Sequence, residues 1–238
     1  MSANLASLMD LQDVDTLLDQ LKHKREVLPE RRSLADAMNV ARSLDRQLAD
    51  LTSQRDTLVA RQAELEAEIE SATARVVMIE RRLYGGEVSA SRDLQAMSEE
   101  VDHLRSRRAT LEDSELALME DTEPLDAEIA KVSQLRSDVD AEITRISEAL
   151  AVAEAGVDAQ ITEREGERHR LAEAMPQALL AEYERLRSRL GGEGAARLVG
   201  DSCTGCHLRM PATEVERIRR LPPGSFANCE QCGRIIVH

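Results

Sequence analysis

A heptad pattern of apolar residues dominates the sequence and restricts what the chain can fold into. Apolar side chains recur at alternating steps of three and four over residues 34–83, and again over residues 94–157. This spacing places them on one seam of an α-helix, and a seam sustained over many heptads is typical of a coiled coil. Strict heptads also predict left-handed supercoiling.

The segment that separates the two seams predicts a turn. Tyr84-Gly85-Gly86 interrupts the pattern, and paired glycines mark a reversal of chain direction. Two long helices joined by so short a connection are expected to fold back as an antiparallel hairpin, with its turn near residues 84–92. The alternative is an extended helix that pairs only with another chain, and the heptads are equally compatible with a homodimer. The short loop favours the hairpin.

Shorter helices are predicted at both ends of the hairpin. Residues 5–28 form an amphipathic stretch that Pro29 ends, because proline lacks a backbone donor. The second arm is longer than the first, so its excess over residues 146–170 is expected to pack on that stretch. Pro176 suits the first turn of a last helix. The glycine-rich residues 191–194 are expected to end that helix and to act as a hinge.

The composition favours helices and excludes one large globular core. The 238 residues include one Phe, two Tyr and no Trp, although aromatic side chains normally supply much of a core. Charged residues make up 32% of the chain, which together with abundant Ala and Leu favours long helices. No apolar run approaches a membrane span, and the N-terminus lacks the basic start of a secretory signal. A cytoplasmic protein without membrane contact is therefore expected.

Four cysteines lie within the last 36 residues, and they predict a metal site. Cys203 and Cys206 form one C-x-x-C pair, Cys229 and Cys232 form another, and 22 residues separate the pairs. This spacing is typical of four thiolates that hold one zinc ion. Four soft thiolates close a tetrahedral site, so the zinc is expected to be structural rather than catalytic.

Other interpretations of the cysteines are weaker. Cys203 to His207 also matches a c-type haem attachment motif, but haem attachment needs export and leaves the second pair unexplained. A thioredoxin-like redox motif needs a βαβ context, and two disulfides need an oxidising compartment. Four unrelated buried thiols would rarely fall as two matched pairs.

The tail around the cysteines is predicted to be a small β-rich module. Short strands are expected at residues 196–199, 207–210 and 234–237. A short helix is expected from Pro211, ended by the segment Pro222-Pro223-Gly224. So small a module cannot bury enough apolar surface alone, and zinc would supply the missing folding energy.

The same tail has the candidate contacts for a partner. Residues 197–238 have six arginines and four acids, a formal +2, which a zinc–tetrathiolate centre cancels. Residues 1–196 carry −16, so the helices should repel nucleic acid. Five arginines of the tail are candidates for contact with an acidic protein surface or phosphate, unless they simply form a solvated face: Arg209, Arg217, Arg219, Arg220 and Arg234.

These features resemble a bacterial family, the C4-type zinc-ribbon proteins with an N-terminal coiled-coil hairpin. The resemblance extends over nearly the full length and rests on short stretches of sequence: Leu83–Gly86, Arg92–Ala96, Tyr183–Arg187, Cys203–Arg209 and Cys229–Arg234. It implies zinc at the four cysteines. It also implies a regulatory or adaptor role, because members of the family are linked to transcription machinery or nucleic acid.

The predicted fold is mainly α, with an antiparallel coiled-coil hairpin over residues 1–190 and a β-rich zinc ribbon over residues 191–238. The favoured function is a non-enzymatic adaptor that docks a protein partner through the ribbon and the coil. The alternative is binding of RNA or DNA through the ribbon, which the near-neutral tail and its single Phe226 disfavour. The sequence has no nucleophile–base arrangement, phosphate loop or open metal site. Neither catalysis nor a small-molecule substrate is therefore expected.

Overall fold

Helices dominate residues 3–86, 88–222 and 225–237, which are the residues that the computed structural model describes. The elements follow one another as α1 (Ala3–Glu26), α2 (Pro29–Tyr84), α3 (Ser91–Glu173), α4 (Gln177–Arg189), β1 (Ala195–Val199), β2 (Ser202–Cys203), α5 (Ala212–Arg219), β3 (Ala227–Asn228) and β4 (Ile235–Val237). Pro223 and Gly224, predicted to help end the short tail helix, lie outside the described residues. None of the helices described has the length and apolar character that crossing a membrane requires.

Prolines stand at the start of three helices. Pro29 is the first residue of α2, and Pro176 and Pro211 cap the N-termini of α4 and α5. The first N–H groups of a helix have no intrahelical acceptor, so proline loses nothing there by lacking a donor. The predicted helix starts at Pro176 and Pro211 are therefore present, and α1 ends shortly before Pro29, at Glu26.

Contacts between Cα atoms group the chain into two compact units. The first, which we call the hairpin unit, spans Ser33–Arg145. The second, which we call the head unit, combines the residues up to Arg32 with those from Ile146 onward. The predicted division after residue 190 falls inside the head unit, because α1 and the last turns of α3 group with the cysteine-containing tail.

In the hairpin unit the two arms run antiparallel, as predicted. Ion pairs connect the end of α2 with the start of α3, through Arg75–Glu100 and Glu68–Arg107. Residues earlier in α2 pair with residues further along α3, through Arg55–Asp126 and Asp45–Arg136. Near the turn, Val76, Ile79 and Val101 form a buried cluster with Met97 and Leu104 packed against it. All five belong to the predicted heptad seam, so the seam is the surface through which the arms meet.

Both glycines of the turn are required by its backbone. A Cβ atom on Gly85 would lie 2.6 Å from the carbonyl oxygen of Arg81, and Gly86 has a φ of +76°. Glycine accepts the left-handed region at no steric cost, whereas other residues do so with strain. The reversal after Tyr84 therefore depends on these two residues.

Two arginines, Arg55 and Arg136, interrupt the apolar seam and bridge the arms. Nε of Arg136 lies 2.7 Å from Oδ1 of Asp45, and Nε of Arg55 lies 3.2 Å from Oδ1 of Asp126. Hydrogen bonds to Asp140 and Asp45 raise the pKa of Arg136 above its ordinary value. Exposed pairs of this kind contribute little to stability. They do favour one register of the arms, because a shift by one heptad would separate both pairs.

In the head unit, α1 lies against the last turns of α3, as the unequal arm lengths predict. Arg25 donates two hydrogen bonds to Asp158, with distances of 2.6 Å from Nε to Oδ1 and 3.1 Å from Nη2 to Oδ2. One turn away along α1, Nζ of Lys22 lies 3.6 Å from Oε1 of Glu165. Leu8 of α1 is fully buried, and burying such a side chain contributes about 1.5–3 kcal/mol.

The cysteine-containing tail forms a four-stranded sheet in the order β2-β1-β4-β3. The two central strands, β1 and β4, are parallel, with Ala195 opposite Ile235, and each edge strand is antiparallel to its neighbour. The predicted strand at residues 207–210 is reduced to a single bridge between Ser202 and Arg209. Helix α5 packs Val215 and Ile218 into a buried cluster with one face of the sheet.

The other face of the sheet belongs to the core of the head unit. Ala195, Ile235 and Val237 pack in one buried cluster with the apolar faces of α1 and α4, whose members include Leu8 and Tyr183. The side-chain Oε1 of Gln12 also accepts a 2.7 Å hydrogen bond from the backbone N–H of Ala195. The predicted hinge at residues 191–194 is therefore wrong, since the segments on either side of it share one core.

Gly194 shows how tightly this connection is packed. A Cβ atom added there would lie 2.7 Å from both the carbonyl oxygen and the ring Cδ2 of Tyr183. We expect Gly194→Ala to lower the free energy of unfolding of the head unit by about 1–3 kcal/mol, as overpacking does elsewhere. The matched control is Gly166→Ala, at a helical position with nothing within 4 Å of the added atom, where alanine should stabilise by about 1 kcal/mol. Equal midpoints in urea for the two variants would contradict the expectation.

Candidate metal centre

Two loops of the tail have the same backbone hydrogen bonds, and each loop carries one cysteine pair. In the first, the N–H of His207 donates to the carbonyl oxygen of Cys203 at 2.8 Å, and the N–H of Cys203 donates to the carbonyl oxygen of Leu208 at 3.1 Å. In the second, Gly233 donates to Cys229 and Cys229 donates to Arg234, both at 2.8 Å. Each loop thus turns back on its first cysteine and holds both thiols on one side.

The residue that follows each cysteine pair has a positive φ. The φ angle is +77° at Gly233 and +59° at His207. Among the described residues, His207 is the one non-glycine residue with a left-handed backbone. The loops therefore need this conformation whether or not glycine is available. Glycine at 233 adopts this conformation at no steric cost, whereas the residue type of His207 gives no sign of it.

The four sulfur atoms converge between the two loops. The Sγ atoms of Cys203, Cys206, Cys229 and Cys232 all lie within 4.8 Å of one another. The Cys203–Cys232 and Cys206–Cys229 separations are 3.9 and 3.8 Å. A tetrahedral site with Zn–S bonds of about 2.3 Å requires sulfur atoms about 3.8 Å apart. The donor set and its spacing therefore fit a zinc ion without rearrangement of the loops.

The pKa values of the thiols show how their ionisation depends on the surroundings of the site. Burial raises the pKa of Cys203 to about 12 and raises that of Cys229 as well, against hydrogen bonds from neighbouring backbone N–H groups. At Cys232 burial also acts to raise the pKa, but hydrogen bonds from the backbone and the side chain of Arg234 outweigh it and lower the pKa. Four thiolates in so small a space repel one another, so all four can ionise together only with a cation between them.

Arg234 joins the two cysteine loops. It follows the second pair in sequence, and its Nη1 donates to the carbonyl oxygen of Gly205 in the first loop at 3.2 Å. Its Nε donates to the carbonyl oxygen of Glu193 at the same distance. A Cβ atom on Gly205 would lie 2.6 Å from Cδ of Arg234. The side chain is only 15% exposed, so the structure places it beside the thiols and not on the surface predicted for partner contact.

The other four candidate arginines do lie on the surface of the tail. Nη2 of Arg219 donates to the carbonyl oxygen of Gly200 at 3.2 Å, and Nε of Arg209 lies 3.9 Å from Oδ2 of Asp201. Both therefore reach the turn between β1 and β2. Two further pairs lie along α5, where Arg217 contacts Glu214 and Arg220 contacts Glu216. All four retain exposed guanidinium groups.

Sequence reasoning missed a buried polar cluster in the head unit. Asp15 is 1% exposed. Its carboxylate accepts a 2.8 Å hydrogen bond from the hydroxyl of Tyr183 and a 2.6 Å hydrogen bond from Nε of Arg168. Nε of Arg187 lies 3.4 Å from Oδ2 of the same carboxylate. Burial, with the nearby Asp15 charge, raises the pKa of Tyr183. One signal was available, since Asp15 stands at helical spacing from Leu11 and Leu18 on the apolar face of α1.

Comparison with known proteins agrees with the fold. A family model described as a CT398-like coiled coil hairpin domain matches residues 11–191. An uncharacterized protein of Mycobacterium tuberculosis, found in two strains, is 27% identical over 235 residues, which is 99% of this chain and 95% of that protein. These matches include the whole hairpin.

Solved structures extend the likeness over the cysteine-containing tail. A structure from Mycobacterium smegmatis superposes with a TM-score of 0.87 at 25% identity and covers 100% of this chain and 99% of its own. CT398 from Chlamydia trachomatis gives a TM-score of 0.71 at 18% identity, with 98% of this chain and 96% of its own covered. HP0958 from Helicobacter pylori gives 0.51 at 16% identity, with 99% and 97% covered. The last two likenesses concern the fold alone, whereas the family match covers most of the sequence, so the chain belongs to the CT398-like coiled-coil hairpin family.

Proposed function

We propose that the four cysteines hold one structural zinc ion, and that the resulting zinc ribbon works as a non-enzymatic docking module for a protein partner. The observation that carries this proposal is the convergence of four thiols within 4.8 Å of one another, in a tail that also exposes Arg209, Arg217 and Arg220. The metal would contribute folding energy, and the centre formed by the metal and its four thiolates would carry a net charge of −2. Partner contact would come from the side chains that the ribbon presents.

A structural role is favoured because four thiolates leave no open coordination position for water or substrate. The three buried polar residues in the described part of the chain, Gln12, Asp15 and Glu214, also have partners of their own. Asp15 is held by Tyr183, Glu214 by Arg217, and Gln12 by the N–H of Ala195. None of these groups is left poised to transfer a proton, which supports an adaptor over an enzyme.

The contact surface, which we call the ribbon basic face, consists of Arg209, Arg217, Arg219 and Arg220. Arg209 and Arg219 reach the β1–β2 turn. Val199, at the end of β1, and Leu208, directly before Arg209 in sequence, are exposed large apolar residues. Arginine binds carboxylates in a bidentate manner, and exposed apolar residues beside it supply desolvated area. An acidic protein surface is therefore the complementary partner, and the family resemblance favours a component of the transcription machinery.

Nucleic-acid binding through the same face has less support. Phe226, the aromatic residue in the described part of the ribbon, is partly buried against the core of the head unit. Recognition of single strands normally uses aromatic platforms on which bases stack. The tail is also close to neutral once four thiolates and a zinc ion are counted.

The ribbon basic face can be tested by charge reversal. We expect Arg209→Glu combined with Arg220→Glu to reduce recovery of a specific protein partner at least tenfold in affinity capture from the native cell, with zinc content unchanged. Arg145→Glu, an exposed hairpin arginine paired with Glu142, is the matched control and should recover the partner fully. Titration with short RNA and duplex DNA at low salt should give no ribbon-dependent signal. Equal recovery by all variants, or RNA binding that the double variant loses, would overturn the proposal.

A further inference from the structure

The turn of the hairpin unit exposes an aromatic side chain in a chain that has almost none. The sequence contains three aromatic residues. Tyr183 is fully buried and Phe226 packs against the head core, whereas Tyr84 is 82% exposed. Tyr84 is the last residue of α2, directly before the two glycines of the turn.

Two further apolar residues are exposed in the last turns of α2. Val77 is 54% exposed and Met78 is 56% exposed, although their neighbours Val76 and Ile79 are buried in the seam. At about 100° per residue, Tyr84 lies within about 20° of Val77 around the helix axis, whereas Met78 lies about 100° from Val77. Val77 and Tyr84 therefore share one exposed face of the helix, where a coiled coil normally has polar residues, and Met78 flanks that face.

Three arginines without a partner among the described residues lie at the same turn. Within the described residues, Arg81, Arg82 and Arg92 have neither an ion-pair nor a hydrogen-bond partner, and all three are exposed. Immediately further along the arms, Arg75 and Arg105 bind Glu100 and Glu80 on the opposite arm. The sequence has two acids between Arg82 and Leu94, Glu87 and Asp93. Glu87 lies outside the described residues, and Asp93 is in the first turn of α3, where a carboxylate is stabilised by the helix N-terminus.

We propose that this hairpin tip, defined as Val77, Met78, Arg81, Arg82, Tyr84 and Arg92, is a docking site for an acidic protein segment with an apolar anchor residue. Tyrosine and arginine are the residue types that most often dominate binding energy at protein interfaces. The guanidinium groups bind carboxylates of the segment, and the anchor packs on the face formed by Tyr84 and Val77. The site rests on the adaptor function proposed above and adds a second contact surface that the ribbon does not provide.

The surroundings favour a short acidic segment over a polyanion. The arginines are confined to the turn, and acids such as Asp102 and Glu99 are exposed on the arm directly beyond it. A nucleic acid carries a negative charge about every 1.7 Å of duplex, so its continuation along the arm would meet like charge. A peptide of a few residues ends before that point, and its apolar anchor uses the apolar face that phosphates leave uncovered.

The test uses the full-length, zinc-loaded protein and a phage-displayed random peptide library. Peptides are selected on the wild type and counter-selected on a variant with Arg81→Glu, Arg82→Glu and Tyr84→Ala, and the most enriched one is synthesised with a fluorescent label. We expect enriched peptides to combine Asp or Glu with Leu or Phe. The Kd of these peptides should rise at least tenfold for Tyr84→Ala alone, and also for Arg81→Glu combined with Arg82→Glu. Val152→Ala and Arg61→Glu are the matched controls, at exposed sites on the other parts of α3 and α2, and should leave the Kd within twofold.

Each other result contradicts the docking site. Failure to enrich any tip-dependent peptide overturns it, as does enrichment of basic peptides. Tip-dependent binding of poly-uridine RNA or of phosphatidylglycerol vesicles in place of peptides would also overturn it. The ribbon variant Arg209→Glu/Arg220→Glu separates the two proposals, because it should still bind the tip peptide. If that variant loses the cellular partner while the tip selects no peptide, the adaptor function stands and the tip site fails.

Discussion

Substitution of Cys229 with serine is expected to abolish stoichiometric zinc binding and to unfold the ribbon. Zinc sites of this kind contribute an apparent binding free energy of about 10–16 kcal/mol at neutral pH, which exceeds the stability of most domains. Unfolding should also spread beyond the ribbon, because Ala195, Ile235 and Val237 share a core with α1 and α4. Metal analysis should find about one zinc per chain in the reduced wild type and none in the variant.

Amide hydrogen exchange distinguishes the extent of that unfolding. In Cys229→Ser the amides of β1, β4 and α1 should lose protection, whereas those of the hairpin unit between residues 33 and 145 should retain it. Gln231→Ser, an exposed residue of the same cysteine loop, is the matched control and should keep both zinc and protection. A variant that lost zinc but retained protected ribbon amides would show that the sheet folds without the metal, and would refute the structural role.

Asp15→Ala is expected to lower the free energy of unfolding of the head unit by about 3–5 kcal/mol. The carboxylate is fully buried and accepts hydrogen bonds from Tyr183 and Arg168, while Arg187 lies beside it. Removing it leaves a buried hydroxyl without an acceptor and two partly buried guanidinium groups without their common counter-ion, and this loss costs more than the pair itself contributes. The three partners come from α3 and α4, so the loss should loosen both helices from α1.

Two further variants grade the effect. Tyr183→Phe removes only the hydroxyl and should cost about 1 kcal/mol, while Asp13→Ala, at an exposed site on α1, should change stability by no more than about 0.5 kcal/mol. Tyr183 is the buried one of the two tyrosines, so its near-UV circular dichroism during urea unfolding monitors this cluster directly. If Asp15→Ala proved as stable as Asp13→Ala, the buried cluster would have no role in holding the helices together.

The hairpin was accessible from sequence because its information is local. A seam position is defined by its neighbours three and four residues away, and Val76, Ile79 and Val101 are buried as that spacing requires. The turn at Gly85 and Gly86 was likewise marked by residue type. Proline placed the starts of α4 and α5 for the same reason, since its backbone restricts where it can occur.

The cysteine pairs were accessible for a different reason. Their spacing within each loop and their residue type limit the chemistry to a few alternatives, and the structure brings all four sulfur atoms together. The surroundings were not accessible. Arg234 was assigned to an exposed surface from its charge and position in sequence, yet its guanidinium turns inward to bind the carbonyl oxygens of Gly205 and Glu193. Nothing local to Arg234 indicates that those carbonyl groups lie within its reach.

By itself, the sequence determined the helices, their pairing seam, the turn and the four cysteines that could share a metal, since each depends on spacing along the chain. Only the tertiary structure decided that the ribbon is part of the head core and not a module on a hinge. It also decided that Asp15 holds helices from three parts of the chain together, and that Tyr84 stays exposed while Tyr183 is buried. The contacts behind the first two outcomes include hydrogen bonds between residues 153, 168 and 183 positions apart, and such contacts leave no periodic trace in the sequence.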